Sequence, residues 1–427
     1  MTMRTMTLGF AMMAAAAPVI AAVVGHMTPP PSLAVERLST LPAAARGAWE
    51  DYLARSSAAM ARDKAVLAAE RQGLAAVPAP PPEGGTATMP LDRDPAWYAS
   101  DAARAVADNI VSFQTPTGGW GKNQDRTAPP RTPGQMYLPF DSKAGSYAKA
   151  DLAGGWSFIG TLDNDATTTE LAFLARVQAA RPDVAGARYR AAFVKGIRYL
   201  LQAELPGGGW PQVYPLQGGY HDALTLNDDT MIKATALLQH TAAGAEDFSF
   251  VPAALRTEAR DSAARAIATL LATQVVVQSR RTIWAQQYDP LTRAPVGARN
   301  FEPIALATGE SAAVLRFLMK QSDPTPEMRR AIADGVAWFA AHGIRDVVWT
   351  PKGPEGRRLV GQPGAGPIWA RFYDPATQKP IFGDRDRSIQ DDVNAISLER
   401  RNGYSWFGTA GTGVASDYAK WLARHPG

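Results

Sequence analysis

Two acidic segments hold the residues best suited to chemistry. Thr161-Leu162-Asp163-Asn164-Asp165-Ala166-Thr167-Thr168 and Leu226-Asn227-Asp228-Asp229-Thr230 each gather hard oxygen donors where a helical stretch begins. A single Asp or Asn in such a place is ordinarily a cap, accepting an orphan N–H bond and complementing the helix dipole. Two such segments, each after a glycine-aromatic loop, raise the prospect of a shared cation site. With no cysteine and five histidines in the chain, an oxygen-preferring ion such as Ca²⁺ suits these donors better than zinc.

Basic residues form a second set: Lys122, Arg299 in Gly297-Ala298-Arg299-Asn300-Phe301-Glu302, Arg371, and Arg385 in Gly383-Asp384-Arg385-Asp386-Arg387. Local ion pairing with the neighbouring aspartates is the plain reading of Arg385 and Arg387. Arg299 and Arg371 lie among Gly, Pro and aromatic residues, where a guanidinium can hold a carboxylate through two parallel hydrogen bonds. Acidic loops with a cation, facing an arginine-lined wall, are what binding a polymer of uronic acids requires. Trp120, Trp210, Tyr214, Trp284, Tyr288, Trp369, Tyr373, Tyr404 and Trp406 fit either a packed inner wall or a sugar-stacking groove. Core packing is the expectation for most of them, because stacking needs an exposed face.

These residues need a scaffold, and the chain repeats one. Gly118-Gly119-Trp120-Gly121-Lys122-Asn123, Gly207-Gly208-Gly209-Trp210-Pro211-Gln212, Thr282-Ile283-Trp284-Ala285-Gln286-Gln287-Tyr288-Asp289-Pro290 and Pro367-Ile368-Trp369-Ala370-Arg371-Phe372-Tyr373-Asp374-Pro375 recur along the chain. The first three follow apolar stretches with helical spacing, so a helix running into a Trp-bearing loop is the repeated unit. Helical spacing predicts helices over about 99–113, 166–180, 186–204, 228–241, 252–276, 306–319 and 326–342. Long connections at 115–162, 205–227 and 345–391 separate them and mark an elaborated cleft. The expected fold is all-α, an incomplete (α/α) toroid of helical hairpins with long functional loops, plus a small N-terminal helical extension.

Residues 1–25 read as a signal peptide, with Arg4 ahead of a weakly apolar, Ala-rich stretch. Residues 26–85 read as the helical extension, closed by a Pro/Gly-rich linker at 78–85, and 86–427 as the catalytic body. The expected location is secreted or periplasmic, the expected state a monomer, with no membrane contact after signal removal. A formal charge of +4 without basic runs gives no sign of a nucleic-acid partner.

With these motifs in order, the chain resembles the family 10 polysaccharide lyases, the toroidal pectate lyases, from about Trp97 to Gly408. The resemblance rests on Asn109-Ile110-Val111-Ser112-Phe113-Gln114 with the first Gly-Gly-Trp, the two acidic segments, Gly208-Gly209-Trp210-Pro211-Gln212-Val213-Tyr214-Pro215, Trp284-Ala285-Gln286-Gln287-Tyr288, the Arg299 motif, Arg371-Phe372-Tyr373 and Arg400-Arg401-Asn402-Gly403-Tyr404-Ser405-Trp406. It implies β-elimination on 1,4-linked galacturonan (polygalacturonate), with Ca²⁺ held by Asp163, Asp228 and Asp229. Arg299 is then the base that removes the C5 proton. Arg371, Arg385, Lys122, Asp228, Trp210 and Tyr288 are assigned to substrate. Two other readings of the residues stay open: an inverting glycoside hydrolase using Asp163, Asp228 and Glu302, and a non-catalytic secreted uronate-binding protein.

Overall fold

A computed structural model describes residues 22–139, 159–182 and 186–425. Ten α-helices lie within these spans: α1 Ala43–Arg71, α2 Asp101–Ser112, α3 Thr168–Ala180, α4 Ala187–Ala203, α5 Thr230–Ala243, α6 Ala253–Ala272, α7 Thr308–Met319, α8 Pro326–His342, α9 Leu398–Gly403 and α10 Ala410–Arg424. The strands between them are two to four residues long and serve mainly to tie loops together. The helices predicted from spacing are all present, with ends moved by a few residues. Helix α10 was not anticipated, although Val414 and Trp421 on it are buried at helical spacing.

The helices differ in how much of their surface is covered. Along α4 the buried residues Tyr189, Phe193, Ile197 and Leu200 form one stripe, and α6 does the same with Leu255, Ala259, Ala263, Ala266 and Leu270. These are amphipathic outer helices. On α3 nearly every residue from Thr168 to Gln178 is covered, and α7 is similarly enclosed from Thr308 to Met319. A helix enclosed on all sides lies inside. Each inner helix pairs with the outer helix that follows it: α3 with α4, α5 with α6 and α7 with α8. Inner helices also touch inner ones, α3 with α5 and α5 with α7, while outer helices touch outer ones, α4 with α6 and α6 with α8. One large apolar cluster runs through them all.

The N-terminal extension, read from sequence as set off by a Pro/Gly-rich linker, shares that core. Leu38, Trp49 and Tyr52 are buried in the main cluster, and the Tyr52 hydroxyl donates to the Ala203 carbonyl at the end of α4. Glu83 bridges to Gln124, the Gly84 amide donates to the Asn123 carbonyl, and Asp125 donates to the Pro82 carbonyl. A Cβ at position 84 would come within 2.5 Å of the Asp125 Cα, so this close approach requires glycine. The Pro/Gly run therefore braces the Lys122 loop. Most of the expected signal peptide lies outside the described residues, and Val23–His26, which begins inside its expected span and ends one residue past it, forms a strand on the body.

Candidate active site

The repeated tryptophans are structural pins. Trp120 Nε1 donates to the Ile110 carbonyl at 2.7 Å, Trp210 to Leu200 at 2.8 Å, Trp284 to Leu270 at 2.7 Å and Trp369 to Phe339 at 2.9 Å. Each acceptor lies in the last turn of the preceding helix, α2, α4, α6 or α8, where carbonyls run short of intrahelical donors, although the Leu200 carbonyl also accepts from the Glu204 amide. This corrects the assignment of Trp210 to substrate, since its ring is 0% exposed. Tyr288 is corrected likewise: it is 1% exposed and its hydroxyl accepts from the Ala285 amide at 2.6 Å. Both rings belong to the packed wall.

Fixing the tryptophan fixes the residue two places on. The Gln212, Gln286 and Arg371 carbonyls accept from Leu162, Leu226 and Thr308 at 2.9, 2.9 and 3.0 Å, so each loop is laced to the start of an inner helix. Their side chains turn to polar groups there. Gln212 Nε2 donates to Asp163 Oδ1 at 2.9 Å, Gln286 donates to the Asn227 side-chain oxygen, and Arg371 Nη2 donates to Glu310 Oε1 at 2.8 Å. Lys122, at the same place in the first repeat, pairs with Asp163. Sequence reading missed Gln212, Gln286 and Glu310; the Trp-plus-two spacing was the signal that could have found the two glutamines.

The acidic segments form two matching turns. Asn164 and Asp165 have φ of 50° and 65°, and Asp228 and Asp229 have 54° and 59°. Left-handed backbone is tolerated best by Asn and Asp among residues with side chains. Thr167, at φ 64°, is a strained β-branched exception. Its hydroxyl donates to the Thr161 carbonyl at 2.8 Å and accepts from the Trp120 amide at 3.0 Å, which holds it there.

Asp163 and Asp228 face one another. Desolvation favours protonation of both, but the Lys122 ammonium and hydrogen bonds from Asp228 and Lys122 hold the buried Asp163 down at about 2. Asp228 keeps an exposed face, yet partial desolvation, its hydrogen bond with Asp163 and the Asp163 charge push it up to about 7. The facing pair thus shares a proton that a cation can displace. This donor set fits an oxygen-preferring ion. Among the described residues no three acidic or histidine side chains converge as a metal site, and Asp163 and Asp228 are the expected ligands that face one another. Asp229 has Lys233 as its ion-pair partner at 3.9 Å, and Lys233 also pairs with Asp165 and donates to the Asp228 carbonyl.

Arginines gather nearby, Arg371 lying close enough to Asp228 for their charges to act on one another. Arg299 donates to Glu302 through Nε at 2.8 Å and Nη2 at 2.5 Å, and Tyr404 donates to the same carboxylate at 2.6 Å. Burial would raise the Glu302 carboxyl, yet the Arg299 bonds and charge, with Tyr404, keep it below the usual range. Arg371 lies 4.8 Å from the Tyr404 ring centre and Arg299 5.7 Å, so one phenol is flanked by two guanidiniums. Burial opposes the Arg371 charge, but Glu310, Tyr404, Glu302 and Asp228 outweigh it and hold the guanidinium more firmly protonated than usual. Arg385 stands over Phe301 at 4.9 Å and reaches Glu399 with two bonds of 3.2 Å, a carboxylate it shares with Arg400. His221, half-buried and pushed down to about 4 by desolvation against the pull of Asp163, adds a neutral ring to this environment.

The model of the pectic acid lyase family matches residues 114–415. The chain belongs to this family. An aspartate-to-alanine mutant of the family 10 polysaccharide lyase from Cellvibrio cellulosa, solved in complex with trigalacturonic acid, aligns at 30% identity and TM-score 0.64 over 79% of this chain and 99% of that one. A second structure of the Cellvibrio cellulosa family 10 lyase aligns at 31% identity and TM-score 0.64, covering 78% and 97%. No curated protein matches the chain. This pectic acid lyase family member is a polysaccharide lyase, predominantly helical with a few short strands. Among its described residues no helix is long and apolar enough to cross a membrane.

Proposed function

We propose that the protein is a calcium-dependent pectate lyase that cleaves 1,4-linked α-D-galacturonan by β-elimination, leaving 4,5-unsaturated oligogalacturonates. The observation that carries this reading is the Asp163–Asp228 pair beside a cluster of arginines, with Arg371 within electrostatic reach of Asp228 and Arg299 flanking the same Tyr404 ring as Arg371. The trigalacturonic acid bound by the Cellvibrio cellulosa lyase supports polygalacturonate as substrate. Nested inner and outer hairpins support an incomplete (α/α) toroid around the site. The proposed protein is a secreted or periplasmic monomer.

Asp163 and Asp228 would hold Ca²⁺, which when bound supplies positive charge to the uronate carboxylate and makes the adjacent C5 proton more acidic. Arg371, Arg385 and Lys122 bind substrate carboxylates, and Arg371 stabilises the charge that grows on one of them. Arg299 removes the C5 proton as the C4–oxygen bond breaks, and the departing oxygen takes a proton from water. Guanidinium is a reluctant base, being protonated under ordinary conditions. Glu302 fixes its orientation through Nε and Nη2, and the Tyr404 hydroxyl holds Glu302 in turn. An alkaline optimum follows from this choice of base.

The hydrolase alternative needs carboxyl groups roughly 6.5–9.5 Å apart with water between them. Asp163 and Asp228 share a hydrogen bond instead, and Glu302 is occupied by Arg299 and Tyr404. Polygalacturonate assayed with and without chelator tests the proposal. Growth of ultraviolet absorbance from an unsaturated product, abolished by EGTA and restored by Ca²⁺, is expected. New reducing ends without that absorbance contradict elimination, and binding without cleavage leaves the uronate-binding reading.

A further inference from the structure

The stretch from Ala22 to Thr40 precedes the matched family region, which begins at residue 114, yet it runs along both arginine loops. Val23–His26 pairs antiparallel with Ser388–Gln390, placing Val23 against Gln390 and His26 against Ser388. The Met27 amide then donates to the Arg387 carbonyl at 2.8 Å, and the Ala22 amide to Asp391 Oδ1 at 2.9 Å. Ser388–Gln390 in turn pairs with Phe382–Gly383, so the hairpin carrying Arg385 has this segment as its outer strand. Burial of side chains does not explain the strand, since Val23 and Val24 are 54% and 53% exposed. Its attachment is by backbone, with buried Met27 as the anchor.

A second anchor reaches the other loop. Arg37 Nη2 lies 2.5 Å from Asp289 Oδ2, and that carboxylate is only 4% exposed. Asp289 Oδ1 accepts from the Leu291 and Thr292 amides, closing the turn between Gln287–Tyr288 and Pro295–Val296. Pro295–Val296 leads directly into Gly297-Ala298-Arg299. At Gly297 a Cβ would sit 3.2 Å from Met27 Cε and 3.3 Å from the Thr28 carbonyl oxygen. At Gly383 it would sit 2.4 Å from the Phe301 carbonyl oxygen. The Arg299 loop is thus packed between the segment and the Arg385 hairpin.

Resting on the lyase reading above, we infer that residues 22–40 are a positioning strap for the arginine wall, with the Met27 anchor governing carboxylate binding by Arg385 and the Arg37 anchor governing catalysis by Arg299. The two anchors should give different kinetic signatures, whereas a general contribution to folding would move both alike. Met27→Pro removes the amide that bonds Arg387, and Arg37→Met removes the ion pair with Asp289.

The test uses the full chain, polygalacturonate kinetics, trigalacturonate calorimetry and thermal unfolding. Met27→Pro should raise KM and weaken trigalacturonate binding about tenfold with kcat within about twofold, and should add little in an Arg385→Ala background. Arg37→Met should lower kcat about threefold with KM nearly unchanged, and Arg37→Lys should recover most of the loss. Unchanged constants in both variants, equal penalties with and without Arg385, or kcat and KM changing in parallel with a lowered Tm would overturn the strap. A wild-type protein that binds trigalacturonate without cleaving polygalacturonate would defeat the lyase reading. The Met27 anchor is then still judged by its trigalacturonate arm.

Discussion

The two sides of the site are built in different ways. The acidic side sits on the regular part of the fold: Asp163 and Asp228 lie in matching left-handed turns at the starts of α3 and α5, each laced to a tryptophan loop by one carbonyl. The arginine side sits on irregular hairpins between Gln287 and Tyr404, held by carboxylates, by stacking on Phe301 and Tyr404, and by a strand from the N-terminus. A cation site tolerates little movement, and helix starts braced on both faces provide that rigidity. Carboxylates along a polymer need several donors spread over a wider surface, which loops supply. Rigid ion holder and adjustable substrate wall should therefore fail differently when altered.

The largest effect is expected at Arg299. Arg299→Ala should lower kcat by about 10²–10⁴, the range for loss of a positioned base, while oligogalacturonate affinity stays within a small factor. Steady-state kinetics with calorimetry checks this, and near-normal turnover would remove Arg299 from the base role.

On the acidic side, Asp228→Asn should abolish Ca²⁺ binding and cut activity at least a hundredfold, yet slightly stabilise the ion-free protein by ending the repulsion of two facing carboxylates, a gain that solvent screening at the exposed Asp228 keeps small. The pH dependence has a defined sign. Asp228 stands at about 7 in the fold against roughly 3.9 when unfolded, so its proton is bound more tightly in the folded state. Its contribution to stability is present below about pH 4 and lost as pH rises through about 7. Unfolding in chelator should show this slope, and Asp228→Asn should flatten it. A variant less stable than wild type in chelator would contradict the facing-pair account.

Arg371→Ala should raise KM about tenfold, with a smaller fall in kcat, because a carboxylate clamp acts in both ground and transition states. Glu310→Gln should reproduce part of that change through Arg371, whose Nη2 it receives. Equal kinetics for both variants and wild type would place the substrate carboxylate elsewhere.

The smallest kinetic effects are expected at the corrected aromatics. Tyr288→Phe and Trp210→Phe should leave KM within about twofold, while Trp210→Phe loses on the order of 1 kcal/mol of stability with its bond to Leu200. A large rise in KM for either would restore a direct substrate role.

What the sequence disclosed follows the same division. Helix spacing and acidic segments are local patterns, so α2 to α8 and the Asp163 and Asp228 turns could be read in advance. Orientation could not: Trp210 as a pin and Trp210 as a sugar platform have the same neighbours in sequence, and only the bond to a helix-end carbonyl separates them. Asp229 follows Asp228 directly, but the left-handed turn leaves it with Lys233. Glu310 carried no local sign because its partner Arg371 is 61 residues away. Val23–His26 gave no alternating pattern, since it pairs by backbone at a sheet edge.

Calorimetric titration of Ca²⁺ into wild type, Asp228→Asn and Arg371→Ala, without substrate, tests the division of labour most directly. Ca²⁺ should bind wild type and Arg371→Ala with affinities within a few-fold of each other and should not bind Asp228→Asn. Undiminished binding by Asp228→Asn, or loss of binding in Arg371→Ala equal to that in Asp228→Asn, would contradict an ion held by the acidic turns and a carboxylate held by the arginine wall.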